Sequence, residues 1–200
     1  MMKFGLLMIG CASIAAAPGC VADSAEADVD QTQVAEAELT ASPPGPGANA
    51  IGVFHPIRLS NTNLCLQPLG GTTADAPVEL RTCNGSTAQH WLFSQKSSVE
   101  WEIINFQSGR CLYEDTNSPV GGAEQIIHAG CDIVGTNVPA SNALWRPTAV
   151  TGNARLQSRV GHKDTGFCIH VPGVPFDGIG VVNERCSAGN PAQIFVVGTE

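Results

Sequence analysis

The chain has 200 residues, eight cysteines and a formal net charge of −8. Its 22 glycines and 13 prolines, with only 14% charged residues, exclude a coiled coil and a highly charged disordered chain. The acidic balance and the lack of a basic cluster exclude a nucleic-acid binder, because contact with phosphates requires a basic face. The composition predicts a turn-rich, all-β secreted domain.

Residues 1–20 are predicted to be a signal peptide. One basic residue, Lys3, precedes an apolar stretch over residues 4–17 that ends in small residues and is short for a membrane-spanning helix. The end of this segment, residues 17–20, resembles a bacterial lipoprotein signal and makes Cys20 a lipidation candidate. The alternative is ordinary cleavage near Ala22 or Ala27, which would release a soluble protein.

Residues 21–50 are predicted to be a disordered tether. They contain six acidic and no basic or aromatic residues, and they end in a Pro/Gly-rich run. Such a segment buries too little apolar surface to offset the entropy of ordering it. Residues 51–200 carry 12 acidic and 9 basic residues, a nearly neutral balance.

The rest of the chain contains three internal repeats, predicted at about 53–98, 99–149 and 150–198. Six cysteines mark corresponding positions in the three repeats. Each repeat contains one pair, and the two cysteines of a pair are 18, 20 and 18 residues apart. A hydroxyl residue stands three positions before the first cysteine of each pair, and an aromatic residue follows the second. These hydroxyl residues are Thr62, Ser108 and Thr165.

Each repeat contains about four short apolar runs separated by Gly, Asn, Pro or Asp, a pattern typical of short strands joined by turns. In the first repeat these runs are residues 57–59, 64–66, 78–80 and 91–93. One unit alone cannot bury its apolar face, so three units with about 12 strands predict a closed threefold β architecture.

The repeat register also predicts the disulfides. Six cysteines allow 15 connectivities, of which the threefold register selects Cys65–Cys83, Cys111–Cys131 and Cys168–Cys186. Each loop of roughly 20 residues adds about 3 kcal/mol in the chain-entropy model, and the bonds require an oxidising compartment. No Cys-x-x-Cys or His-rich spacing supports a metal site.

The chain resembles the ricin B-chain type lectin domain, a β-trefoil whose units carry Cys-Leu near the start and Gln-x-Trp near the end. The resemblance covers residues 53–198. The matching pairs of segments are Cys65-Leu66 with Gln89-His90-Trp91, Cys111-Leu112 with Ala143-Leu144-Trp145, and Cys168-Ile169 with Gln193-Ile194-Phe195.

The resemblance implies a carbohydrate pocket in each unit. The family places an Asp two residues after the first cysteine, an aromatic residue just before the second, and an Asn before the Gln of Gln-x-Trp. Unit one has Gln67, Arg81 and Ala88 at these places, and Gln67 and Arg81 are also candidate ligand-binding residues. Unit three has His170, Glu184 and Ala192. No unit has the full set. Unit two is the least depleted and is the predicted pocket, with Tyr113 at the Asp place followed by Glu114 and Asp115, His128 near the aromatic place and Asn142 at the amide place.

The remaining motif residues are predicted to be structural. Trp91, Trp145 and Phe195 are expected to anchor the core, and Gln89 and Gln193 to satisfy buried backbone groups. No catalytic elbow, zinc-protease motif or phosphate loop occurs in the sequence, so neither an enzyme nor a cofactor is expected.

The first hypothesis is a monomeric carbohydrate-binding module with degenerate sites, secreted or held in the cell envelope. Its ligand would be a galactose-type or other glycan, and a lipid on Cys20 would be its only membrane attachment. The second is a trefoil that has lost sugar binding and serves as a protein-interaction or structural surface protein. The third is an unrecognised hydrolase.

Overall fold

The computed structural model describes residues 53–120, 123–132 and 140–198. The predicted signal peptide, Cys20 and the tether lie outside the described residues. The described part of the chain contains no helix that is long and apolar enough to cross a membrane.

The described residues form 13 strands and four short 3-10 turns, arranged in three units. Unit one contains β1 (His55–Leu59), β2 (Leu64–Pro68), β3 (Ala76–Thr82) and β4 (His90–Gln95). Unit two contains β5 (Trp101–Asn105), β6 (Cys111–Val120), β7 (Ala123–Ala129) and β8 (Trp145–Pro147). Unit three contains β9 (Gly152–Ala154), β10 (Leu156–Ser158), β11 (Phe167–His170), β12 (Val182–Arg185) and β13 (Phe195–Val197).

Six strand positions close into a barrel. Antiparallel pairing runs from β1 to β4, β5, β8 and β10, and from β9 through β13 back to β1. Only Arg155 separates β9 from β10, so the two occupy the place of one strand. The fold is therefore the predicted β-trefoil.

Two successive strands of each unit form a hairpin, and the three hairpins cover one end of the barrel. These hairpins are β2–β3, β6–β7 and β11–β12. β7 pairs with both β3 and β12, and a bridge between Glu79 and Gly180 joins the remaining two hairpins. Residues from different units thus meet in the cap.

The recurring hydroxyl residue closes the turn before the hairpin in units one and three. Thr62 Oγ1 donates to the carbonyl of Leu59 at 2.9 Å and accepts from the N–H of Leu64 at 3.2 Å. Thr165 does the same with Ser158 and Phe167, at 3.1 Å each. A short hydroxyl side chain satisfies two backbone groups where the strand pattern is interrupted.

The core fills the barrel and the base of the cap. Trp91, Trp145 and Phe195 are fully buried in it. The indole N–H of Trp91 donates to the carbonyl of Leu66 at 3.0 Å, and that of Trp145 to Leu112 at 2.8 Å. Each indole therefore joins a barrel strand to the hairpin of its own unit.

All three predicted cysteine pairs are bonded in the structure. The bonds Cys65–Cys83, Cys111–Cys131 and Cys168–Cys186 have Cα–Cα distances of 5.1, 4.9 and 5.0 Å. In each unit the first cysteine lies on the first hairpin strand and the second lies just beyond the other strand. Each disulfide thus closes the open end of its hairpin.

Candidate functional site

A cleft of about 460 Å³ lies on the outer side of the β6–β7 hairpin. Its lining residues are Asp75, Tyr113, Asp115, Asn117, Ile127, Ala129, Gly130, Asp132 and Ala140. Residues 133–139, between Asp132 and Ala140, are outside the described residues. We refer to this site as the unit-two cleft.

Strand alternation places Tyr113 and Asp115 side by side on the cleft face of β6. Tyr113 stands opposite Ile127 of β7, which lines the same cleft. The carboxylate of Asp115 accepts a hydrogen bond from the N–H of Asn117 at 3.0 Å. This bond orients the carboxylate at the end of the cleft and shows the turn chemistry typical of Asp.

Asp75 reaches the cleft from unit one. Pairing of β3 with β7 sets Ala76 opposite His128, and the N–H of Asp75 donates to the carbonyl of His128 at 3.0 Å. The backbone of Asp75 has a φ of 58°, in the left-handed region that Asp tolerates better than most residues. The unit-two cleft is therefore built from two units.

The lining of the cleft is acidic and rich in hydrogen-bond acceptors. It contains the carboxylates of Asp75, Asp115 and Asp132, and no basic side chain among its described residues. Burial raises the pKa of the Tyr113 phenol, and the charges of Asp115 and Asp75 raise that pKa further. The phenol therefore keeps its proton and can donate to an acceptor while its ring offers an apolar face.

Glu114 and His128 do not line the unit-two cleft. Glu114 is 5% exposed and lies on the opposite face of β6, where it accepts a hydrogen bond from the Ser158 hydroxyl. His128 has no exposed surface, and its Nδ1 lies 3.4 Å from the carbonyl of Ala76. Both side chains point into the protein because consecutive strand residues alternate between faces.

Asn142 supports the backbone of β6 next to the unit-two cleft. Its amide nitrogen donates to the carbonyl of Glu114 at 3.1 Å and lies 3.5 Å from the Thr116 hydroxyl. It holds the backbone between Tyr113 and Asp115 but is not part of the cleft lining.

The polar residues at the matching places of unit one are bonded within the protein. Gln67 accepts a hydrogen bond from the amide of Gln89 at 3.0 Å. Arg81 pairs with Glu79 at 2.7 Å and with Asp177 at 3.2 Å. Neither side chain lines the unit-two cleft.

The polar residues at the matching places of unit three are also bonded within the protein. His170 Nε2 lies 2.7 Å from a carboxylate oxygen of Glu184. The two residues that stand at the family's Asp and aromatic places are thus in contact with each other.

The two glutamines of the Gln-x-aromatic motifs bond to backbone groups beside the second cysteine of their units. Gln89 donates to the carbonyl of Thr82 at 2.9 Å and accepts from the N–H of Asn84 at 2.8 Å. Gln193 makes the same two bonds with Arg185 and Ser187, at 2.9 and 2.8 Å. Ala143 has no side chain that could make these bonds in unit two.

One cluster in the described part of the chain has the proximity of metal ligands, but its chemistry does not fit a metal. It consists of Glu102, Cys111 and Cys131. The two cysteines are bonded to each other, so neither offers a thiolate.

Two acidic residues of the cleft, Asp75 and Asp132, were not among the predicted site residues. Asp132 directly follows the second cysteine of unit two and lies beyond the end of β7, so strand alternation does not predict the direction of its side chain. Asp75 lies 38 residues before Tyr113 in the sequence, and only the pairing of β3 with β7 brings it to the cleft.

Comparison with known proteins agrees with the fold. Residues 49–128 match the family model described as ricin-type beta-trefoil lectin domain-like. No curated protein matches the chain significantly. The structural match to the designed threefold-symmetric protein ThreeFoil has a TM-score of 0.60 and 19% identity, and covers 73% of this chain and 99% of that one.

Two natural structures show the same fold. The ricin B-like lectin of Macrolepiota procera, solved in complex with lactose, matches at a TM-score of 0.54 and 14% identity over 78% of this chain and 99% of its own. An exo-beta-1,3-galactanase from Clostridium thermocellum matches at 0.56 and 24% identity over 77% of this chain, which spans 31% of the galactanase. The chain is thus a β-trefoil, and the family match over residues 49–128 confirms its resemblance to the ricin-type lectin domains.

Proposed function

We propose that this protein is a secreted carbohydrate-binding module that binds a glycan in the unit-two cleft. The observation that carries the proposal is the placement of Tyr113 and Asp115 side by side on one wall of the cleft. A pyranose presents an apolar ring face and a polar edge, which match an aromatic ring and a carboxylate that accepts from two hydroxyls. Asp75, Asn117 and Asp132 supply further hydrogen-bonding groups.

Secretion is supported by the three disulfides, since such bonds persist in oxidising compartments. The resemblance to lectin domains supports a galactose-type or other neutral glycan, and the acidic lining disfavours an anionic one. Lipid attachment at Cys20 remains a separate prediction, tested by mass spectrometry of the mature N-terminus.

The proposal is tested by a glycan array followed by calorimetric titration of the glycans that bind. Asp115→Asn removes the charge of the cleft carboxylate, and Tyr113→Ala removes the ring. Each variant is expected to weaken binding at least tenfold, because a lost charged hydrogen bond or a lost stacking face costs about 1.5 kcal/mol or more. Glu184→Gln, in unit three, is the matched control and should bind like the wild type.

A second function is favoured by the pairing of Arg81 with Glu79 and of His170 with Glu184. These contacts occupy the pocket places of units one and three, as expected if the trefoil no longer binds sugar and serves as a protein-interaction surface. Folded, disulfide-bonded protein that binds no glycan on the array would contradict the first function and support this one.

A further inference from the structure

A second cavity, of about 210 Å³, lies between the hairpins of units two and three. It is lined by Glu114, Ala123, Glu124, Phe167, Asn183 and Glu184. Glu114 belongs to the face of β6 opposite Tyr113 and Asp115, so this inter-unit cavity is separate from the unit-two cleft. The proposed binding of a glycan in the unit-two cleft does not explain the residues that line the inter-unit cavity.

Two carboxylates line the cavity from neighbouring strands. Glu114 of β6 stands opposite Ile126 of β7, and Glu124 lies two residues away on β7, so the two carboxylates share one face of the hairpin, where Glu114 accepts a hydrogen bond from the Ser158 hydroxyl. No basic side chain lines the cavity, so the protein supplies no counter-charge to these two carboxylates there.

A buried amide faces the same cavity. Asn183 is 2% exposed, and neither its amide oxygen nor its amide nitrogen has a hydrogen-bond partner among the described residues. Glu124 Oε2 likewise has none in that part of the chain. Buried polar groups are nearly always bonded, so these oxygens are arranged for a group that the protein itself does not supply.

We propose that the inter-unit cavity binds a divalent cation of the Ca²⁺ class through Glu114, Glu124 and the amide oxygen of Asn183. Ca²⁺ takes six to eight oxygen ligands in flexible geometry, and a cavity of this size leaves room for water as the remaining ligands. Mg²⁺ fits less well because it requires a near-ideal octahedron. A neutral sugar would leave the repulsion between the two carboxylates in place.

Glu184 lies at the same cavity, but His170 already holds it at 2.7 Å. The cation would therefore join β6 and β7 of unit two to β12 of unit three through the other three residues. Binding would stabilise the contact between these hairpins, which already includes the pairing of Val182 with Gln125 and the hydrogen bond from the N–H of Ile126 to the carbonyl of Val181.

The test is calorimetric titration of the chelator-treated full chain with CaCl₂ at pH 7.5, with thermal unfolding as a second readout. The wild type should bind one Ca²⁺ and unfold at a higher temperature with it. Glu124→Gln should weaken binding at least tenfold, because it removes one of the two charged ligands. Asp177→Asn removes an exposed carboxylate that pairs with Arg81 away from the cavity; it is the matched control and should leave Ca²⁺ binding unchanged.

Asn183→Asp adds a carboxylate with almost no change in shape and should raise the affinity for Ca²⁺, which covers the case in which Glu124→Gln fails to fold. Folded wild type that neither binds Ca²⁺ nor gains thermal stability from it would overturn the proposal. So would binding that Asp177→Asn abolishes and Glu124→Gln preserves, or tighter binding of Mg²⁺ than of Ca²⁺.

Discussion

The side-chain oxygen of Gln89 accepts a hydrogen bond from the backbone N–H of Asn84 at 2.8 Å, just beyond the second cysteine of unit one. The same side chain donates to the carbonyl of Thr82, on the other side of that cysteine, at 2.9 Å. Gln89 is 1% exposed, so both backbone groups depend on it for their bonding. The Gln-x-Trp motif thus holds the disulfide end of the hairpin against the barrel.

Gln89→Ala is expected to destabilise the protein by about 1–3 kcal/mol, because it leaves buried backbone groups without partners. Urea unfolding with the disulfides intact measures the effect. Gln107→Ala is the matched control, since Gln107 is exposed, and it should change the free energy of unfolding by less than about 0.5 kcal/mol. Equal effects of the two substitutions would contradict the structural role of Gln89.

The buried ion pair between Lys96 and Glu102 gives a second prediction. Lys96 Nζ lies 2.7 Å from Glu102 Oε2, and the Glu102 side chain is fully buried. Lys96→Met should cost about 3–5 kcal/mol, since it leaves a buried carboxylate without its counter-charge. The double variant Lys96→Met, Glu102→Gln removes both charges and should recover most of that loss in urea unfolding.

Acidification should have a characteristic effect on the Lys96→Met variant. Burial raises the pKa of Glu102, and Lys96 opposes that shift. The folded protein therefore takes up a proton on Glu102 more readily than the unfolded chain, so lowering the pH through the folded pKa favours the folded state. The variant should lose less stability than the wild type on acidification, and a greater loss would contradict this account.

The fold could be predicted from the sequence because its repeating features are local. Thr62, Ser108 and Thr165 mark the turn before each hairpin, and the cysteines mark its two strands. These features recur in three units, so the alignment of one repeat can be compared with that of the other two.

The site could be predicted only in part, for two physical reasons. Tyr113, Glu114 and Asp115 are consecutive residues of a strand, and such residues alternate between faces, so Glu114 could not join the other two. Asp75 comes to the cleft through the pairing of β3 with β7, which nothing near Asp75 in the sequence indicates. A site formed between two units depends on tertiary contacts that periodicity does not encode.

The disulfides should contribute comparable stability in the three units. Replacing Cys168 and Cys186 together by Ala opens a loop whose ends are 18 residues apart and should cost about 3 kcal/mol. The same double replacement of Cys65 and Cys83, also 18 apart, is the matched comparison. Urea unfolding of both variants under non-reducing conditions measures the losses, and a loss below about 1 kcal/mol in either would contradict the prediction.

His128 should make the protein sensitive to acid. Its imidazole is fully buried, and burial lowers its pKa below the usual value of 6.5. Below about pH 6.5 the unfolded chain therefore binds a proton at this position that the folded protein does not, so stability falls as the pH drops from 6.5 toward the folded pKa. His128→Gln cannot take up this proton, although it will lower stability at neutral pH through altered packing. The difference in unfolding free energy between wild type and variant, measured in urea at pH 7.5, 6.5, 5.5 and 5.0, should shrink with decreasing pH. A difference that stays constant over this range would show that His128 does not resist protonation in the folded protein.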